Sequence, residues 1–277
     1  MPGRRFGVEL SQDRVEVWVR GDGLVVQEPA VAARDRATGR LPAFGQQALR
    51  LAGDHDSGLE QVFPIGTFEI KDQPAAEQML RQVITRVVGR LAFVRHELVL
   101  AVPAEFSTSS RRALLEVALA SGARMAHLLD LPLALAFGAG LPVTSWEPLP
   151  VLFLLPDSAQ AAIVCHHGLL ATRAVEFPST SGADQGWSSP ERADALSGMV
   201  KELLEEAPSA GLGRIRAAGF AVAGRGVALA EVAAALARTS TVSARVVADP
   251  EHCVVKGAEV ALERIEAAGG RSLLYLR

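Results

Sequence analysis

Serine, histidine and aspartate, the residue types of a hydrolase triad, occur together in Ser107-Thr108-Ser109-Ser110 with His96 and Asp130. The Gly-x-Ser-x-Gly turn that would expose such a serine is missing, and helix capping accounts for the serines. His166-His167 beside Cys165 suggests metal, but adjacent strand residues face opposite ways. Asp249, Glu251, His252 and Cys253 crowd around Pro250 without zinc spacing and read as a loop and helix start. Lys71, Lys201 and Lys256 are the only lysines, and none follows the glycine spacing of a P-loop, which excludes a Walker-type site. What remains are three polar turns: Glu9-Leu10-Ser11-Gln12-Asp13-Arg14, Pro156-Asp157-Ser158 and Ala223-Gly224-Arg225-Gly226.

The elements that position these turns follow from hydrophobic periodicity. Phe6–Leu10 and Val15–Arg20 alternate as strands of a hairpin, and Gly21-Asp22-Gly23 turns the chain into a third strand from Leu24 to Gln27. Met79, Leu80, Val83, Ile84, Val87, Val88 and Leu91 recur at three- and four-residue spacing, which predicts a helix over 75–91. Leu98–Val102 is continuously apolar, as expected of a strand covered on both faces, and Ser109–Ser121 follows as a helix ended by Gly122. The apolar stretch 128–143 contains Asp130 and two prolines, so it reads as a buried helix with loops at both ends, not as a membrane span.

A second cycle then begins. Strands at 151–155, 161–166 and 170–176 are followed by a small-polar loop, a helix at 192–206, a strand at 218–222, a helix at 228–237, a short strand at 242–247 and a helix at 253–267. A strand meander, helix, strand and helix, occurring twice, predict an internally duplicated α/β fold.

Length and charge agree with a two-lobed protein of this kind. The chain has 277 residues, 28 basic and 31 acidic side chains and a net charge of −3, so it lacks the basic face that nucleic-acid binding requires. Two cysteines, Cys165 and Cys253, are too few for a disulfide framework and predict a reducing, cytosolic compartment. The N-terminal residues carry no apolar run of signal-peptide length, which predicts that the protein is not secreted.

Several segments in order resemble the bacterial actins of the MreB/Mbl family. They are Val25–Val31, Thr38-Gly39-Arg40 and Phe44–Ala48; Val102-Pro103 with Arg111-Arg112-Ala113 and Ser121-Gly122-Ala123; the run Leu129-Asp130-Leu131-Pro132-Leu133-Ala134-Leu135-Ala136-Phe137-Gly138-Ala139-Gly140-Leu141-Pro142; and Asp249-Pro250 with Lys256-Gly257-Ala258. The resemblance implies an actin-like (ribonuclease-H-like, duplicated) two-lobed fold, with a first lobe at 1–143 to which the helix 254–277 returns and a second lobe at 144–253. It also implies descent from proteins that bind ATP between the lobes, polymerise at the inner membrane face and organise cell-wall synthesis.

In that family two glycine-rich hairpin turns cradle the phosphates. Here Glu9-Leu10-Ser11-Gln12 stands in the first, and Phe153-Leu154-Leu155-Pro156-Asp157-Ser158 in the second. Pro156 removes a donor, Asp157 brings a negative charge, and Phe153 stands where a carboxylate near magnesium is expected. Two like charges at about 4 Å cost roughly 4 kcal/mol at an effective dielectric of about 20, on the order of a thousandfold in affinity. Ser110 occupies the position of the glutamate that positions attacking water, and serine is no carboxylate base at neutral pH. On the adenosine side Gly224 and Gly226 keep two of three glycines, either as residual nucleotide contacts or as a helix-entry turn that needs glycine geometry.

The helical subdomain of the second lobe is expected to be missing, replaced by a short linker containing Trp187, which either anchors a partner or caps its own lobe. Arg90-Leu91-Ala92-Phe93-Val94-Arg95 stands where family members carry a membrane-inserting loop; Leu91 and Phe93 either contact lipid weakly or pack beneath the next strand. The reading is a degenerate, non-catalytic actin-like protein with neither metal nor bound cofactor. It is cytoplasmic or peripheral on the inner membrane face and associates with MreB-family filaments or wall-synthesis membrane proteins. The alternatives are an active, divergent, self-polymerising ATPase that holds ATP and magnesium, and a partner-dependent regulator outside wall synthesis.

Overall fold

The computed structural model describes residues 4–89, 96–166, 168–177, 187, 189–207, 209–240 and 242–267. In chain order the strands and helices are β1 (Arg5–Leu10), β2 (Arg14–Val19), β3 (Gly23–Pro29), β4 (Ala32–Asp35), β5 (Ala43–Phe44), α1 (Gly45–Ala52), β6 (Leu59–Val62), α2 (Gln73–Val88), β7 (His96–Val102), α3 (Thr108–Ala120), β8 (Ala123–Asp130) and α4 (Leu131–Gly138). They continue as β9 (Leu149–Leu154), β10 (Ser158–Cys165), β11 (Gly168–Glu176), α5 (Pro190–Glu206), α6 (Leu212–Ala218), β12 (Phe220–Gly224), α7 (Leu229–Thr239), β13 (Ala244–Val246) and α8 (Cys253–Ala267).

The chain divides into two compact units. One takes the chain up to Leu129 and again from Ala258; the other runs from Asp130 to Gly257. Each holds a five-stranded sheet of the same design, β3-β2-β1-β7-β8 in the first and β11-β10-β9-β12-β13 in the second. In both, the first strand is central, antiparallel to its hairpin partner and parallel to a later strand: β1 pairs with β2 and β7, β9 with β10 and β12. The duplication expected from the sequence is therefore present strand for strand.

Alternation sets the faces. Phe6, Val8 and Leu10 join Val15, Val17 and Val19 in one core with Met79, Leu80 and Val83 of α2 and Leu114 and Val117 of α3, while Glu9 and Glu16 lie on the other face. The first unit also carries the small sheet β5-β4-β6, which packs with α1. In the second unit Leu152, Leu154, Ile163, Phe220 and Val222 meet Leu196, Met199, Val200 and Leu203 of α5 and Leu236 of α7.

Three expectations change. Helix α2 stops at Val88, because Gly89 takes φ 57° and ψ −132°, a positive-φ conformation open to glycine that cannot continue the helix. The apolar stretch 128–143 divides into the end of β8 and the shorter helix α4. That helix, which the sequence reading gave to the first lobe, packs on β9 and β10 in the second unit. It meets the start of α8 backbone to backbone: a Cβ on Gly257 would lie 1.7 Å from the Ala134 carbonyl oxygen, and one on Gly138 would lie 1.8 Å from that of Cys253. Among the described residues, no helix is long and apolar enough to cross a membrane.

Candidate functional site

The first polar turn joins β1 to β2. Glu9 is buried, 1% exposed, and stands opposite the equally buried Glu16 in the β1–β2 register. Arg14 lies 3.2 Å from the Glu16 carboxylate, which also accepts the Gln27 amide at 3.0 Å. Ser11 closes the turn on itself: its N–H donates to Arg14 O at 3.0 Å, and its hydroxyl lies 2.9 Å from both Asp13 Oδ1 and Arg14 O. Gln12 accepts the Thr67 hydroxyl at 2.6 Å. Ser11 and Gln12, which stand in place of a glycine-rich cradle, each make a side-chain hydrogen bond inside the first unit.

Ser110 lies in the first turn of α3 and is part of its cap. Its N–H donates to Ser107 Oγ at 3.1 Å, and its hydroxyl lies 3.0 Å from the same oxygen. Arg111 turns back to the carbonyls of Pro103, Ala104 and Phe106, fixing the loop before the helix.

The second unit brings two of the polar turns together. Leu155 N–H donates to Ser158 O at 2.8 Å, closing the β9–β10 hairpin around Pro156 and Asp157, and the Ser158 hydroxyl lies 3.4 Å from Asp157 Oδ1. Arg225 N–H donates to Leu154 O at 3.1 Å, and a Cβ on Gly226 would touch the Pro156 ring at 3.0 Å. Gly224, at φ 149°, passes so close to β9 that a Cβ would fall 2.1 Å from Leu154 O. Its N–H donates to Pro250 O at 3.1 Å, which places Asp249-Pro250 beside this turn. Gly224 and Gly226 therefore have packing reasons to be glycine, whatever else they contact.

Two residues that depart from the family's pattern lie against each other here. The Arg225 guanidinium, on a side chain only 5% exposed, sits 5.4 Å from the centroid of the Phe153 ring. The sequence reading noted each alone, and no local signal joins them. Trp187 is 3% exposed, its indole N–H donates to Leu155 O at 2.7 Å, and its ring meets Phe177 edge-on at 5.5 Å.

Leu91 and Phe93 lie outside the described residues, so the structure adds nothing to their two readings. Among the described residues, no three histidine, cysteine, aspartate or glutamate side chains converge as metal ligands would. A cavity of about 330 Å³ beside β3, lined by Arg4, Val25, Gln27, Glu28 and Arg86 among others, includes none of the sequence-predicted site residues.

Comparison with known proteins decides the family. A model of the family described as MreB/Mbl protein matches residues 3–181. This chain belongs to the MreB/Mbl family. It is 28% identical to the cell shape-determining protein Mbl of Bacillus subtilis (strain 168) over 143 residues, 52% of this chain and 43% of Mbl. Against the cell shape-determining protein MreB of Escherichia coli (strain K12) it is 28% identical over 178 residues, 62% of this chain and 51% of MreB. The chain spans about half the length of the curated relatives it matches. The fold is similar to that of MreB5 of Spiroplasma citri bound to ADP, with a TM-score of 0.84 and 18% identity over 98% of this chain and 99% of that one. It also resembles a MamK double helical filament, with a TM-score of 0.71 and 14% identity over 94% and 98% of the two chains. The fold of this MreB/Mbl member is actin-like, and the chain is short at 277 residues.

Proposed function

We propose that this chain is a non-catalytic MreB/Mbl protein that contributes to cell shape and cell-wall synthesis by associating with filament-forming homologues or wall-synthesis membrane proteins. The cell-shape part of the reading comes from the Bacillus subtilis and Escherichia coli relatives. The non-catalytic part rests on one observation: the Arg225 guanidinium packs on Phe153 while the Pro156 ring rests on Gly226, so the chain's own side chains crowd the turns of the second unit. Asp157 adds negative charge to the same hairpin, and Ser110 brings no carboxylate to the α3 cap.

Calorimetric titration of the purified chain with ATP and magnesium tests this directly, and a micromolar affinity would sink it. Pull-down with and without a native MreB homologue tests the partner; equal recovery in both arms removes it. A second reading, a divergent self-polymerising ATPase, draws on the fold shared with a protein crystallised with ADP. ATP-dependent pelleting of the chain alone would favour it. Membrane contact through Leu91 and Phe93 belongs to the proposal as well: liposome flotation of a Leu91/Phe93 double-serine variant that matches wild type would remove it.

A further inference from the structure

Four successive carbonyls around the β9–β10 turn accept hydrogen bonds from other parts of the chain. Leu154 O takes the Arg225 N–H, Leu155 O the Trp187 indole, Pro156 O the Arg192 guanidinium, and Asp157 O the Phe177 N–H at 2.7 Å. A turn at the end of a hairpin ordinarily leaves such groups to water. Here the donors come from the residue after β11, from the entry to α5 and from the turn after β12.

The side-chain donors share a platform. The Phe177 ring carries the Trp187 indole edge-on at an interplanar angle of 81° and the Arg192 guanidinium 5.0 Å from its centroid. Trp187 also belongs to the core formed by Leu196, Met199 and Val200, so the contact is anchored in apolar packing as well as in polar bonds.

We infer that Phe177, Trp187 and Arg192 form an internal clamp that orders the β9–β10 turn without any ligand, so that the chain's own segment does the ordering that a bound anion would otherwise do. The clamp uses the same turn as the proposed function but is separable from it, because order at the turn and affinity for ATP are different measurements.

Hydrogen exchange of the full chain, followed by mass spectrometry with and without ATP and magnesium, provides the test. Peptides covering 152–160 are expected to be protected without nucleotide and unchanged by it. Trp187→Phe keeps a ring but leaves the buried Leu155 carbonyl without its indole donor. Exchange at the turn is expected to rise about 5- to 150-fold, the equivalent of about 1–3 kcal/mol, with the β1–β2 hairpin unaffected. If that variant does not fold, Arg192→Gln carries the same test at a more exposed position, with a smaller rise in the same peptides. A turn that exchanges freely in wild type until ATP is added overturns the clamp, as does a folded variant indistinguishable from wild type. A freely exchanging turn with no ATP affinity sinks the clamp and spares the proposed function; a protected turn with micromolar ATP affinity does the reverse.

Discussion

Replacing Gly257 by alanine adds one methyl group to α8 at the place where it crosses α4. That methyl would stand 1.7 Å from Ala134 O, 2.6 Å from Ala134 C and 2.7 Å from Gly138 N, all backbone atoms that no rotamer change can move. Ordinary contact begins at 3.4 Å, so the helices would have to part by about 1.7 Å. A gap of only about 0.5–1 Å already forfeits a quarter to a half of each dispersion contact, and the residues flanking the crossing, Leu133, Ala134, Phe137, Val254 and Ala258, are all buried. The loss is expected at or above the upper end of overpacking, about 3 kcal/mol, which at roughly 2–4 °C per kcal/mol lowers Tm by about 6–12 °C. Gly198→Ala provides the control. It makes the same chemical change inside helix α5, where a Cβ meets nothing within 4 Å, and should gain about 0.5–1 kcal/mol from the higher helix propensity of alanine. Differential scanning fluorimetry of both variants decides the matter. If Gly257→Ala melts within about 2 °C of wild type, or above it as Gly198→Ala should, the account of the crossing is wrong.

Other outcomes follow from the same structure. Burial, with the Glu263 charge second, holds the Glu259 carboxyl above its ordinary range, while Arg20 opposes the shift. Its folded pKa exceeds the unfolded one, so the stabilising protonated form is present below about pH 4.5 and lost as pH rises through the folded value. Glu259→Gln should therefore raise Tm at neutral pH, with the gain shrinking toward pH 4.5; a gain independent of pH contradicts it. His127 is shifted the opposite way, lowered by burial against the opposing pull of Glu97. It favours the fold while neutral, and stability should fall as the pH drops below about 6.5, by less in His127→Gln. Ser107→Ala removes the oxygen that caps α3 and should cost about 1 kcal/mol in urea titration; no change in midpoint would mean that water replaces the cap.

Where a single element carried its own pattern, the sequence was a good guide. Helix α8 begins at Cys253 as expected, and both hairpins follow from strand alternation around polar turns. Ambiguity entered where apolar residues ran together. A stretch such as 128–143 has no polar face to show its period, so its apolar residues do not reveal that Leu128–Asp130 end strand β8 before α4 begins at Leu131. Helix α1, only 8 residues long, was passed over for the opposite reason, because two turns give too little repetition to be seen. The site was legible as substitutions and illegible as packing. Phe153 and Pro156 announce a departure from the family's phosphate turns and Arg225 one from its adenosine-side turn, yet that Arg225 reaches Phe153 and that Trp187 bonds to Leu155 O are long-range facts with no local trace. Gly138 and Gly257 belonged to two separate family-like segments, and their direct contact supplies a reason for glycine at both.

The return of the chain to the first unit at Ala258 also imposes an order of manufacture. A ribosome working from the N-terminus releases the strands β1 to β3, β7 and β8 long before the residues that complete their unit, and the whole of the second unit is made in between. Each unit's antiparallel meander can form locally, whereas the later parallel strands and the returning half of α8 must close long loops. Because loop-closure entropy grows only with the logarithm of length, a shorter second unit changes that closure by well under about 1 kcal/mol. A second unit can therefore shed residues over evolution without hindering completion of the first, provided that α8 still emerges from it and Gly257 still finds α4.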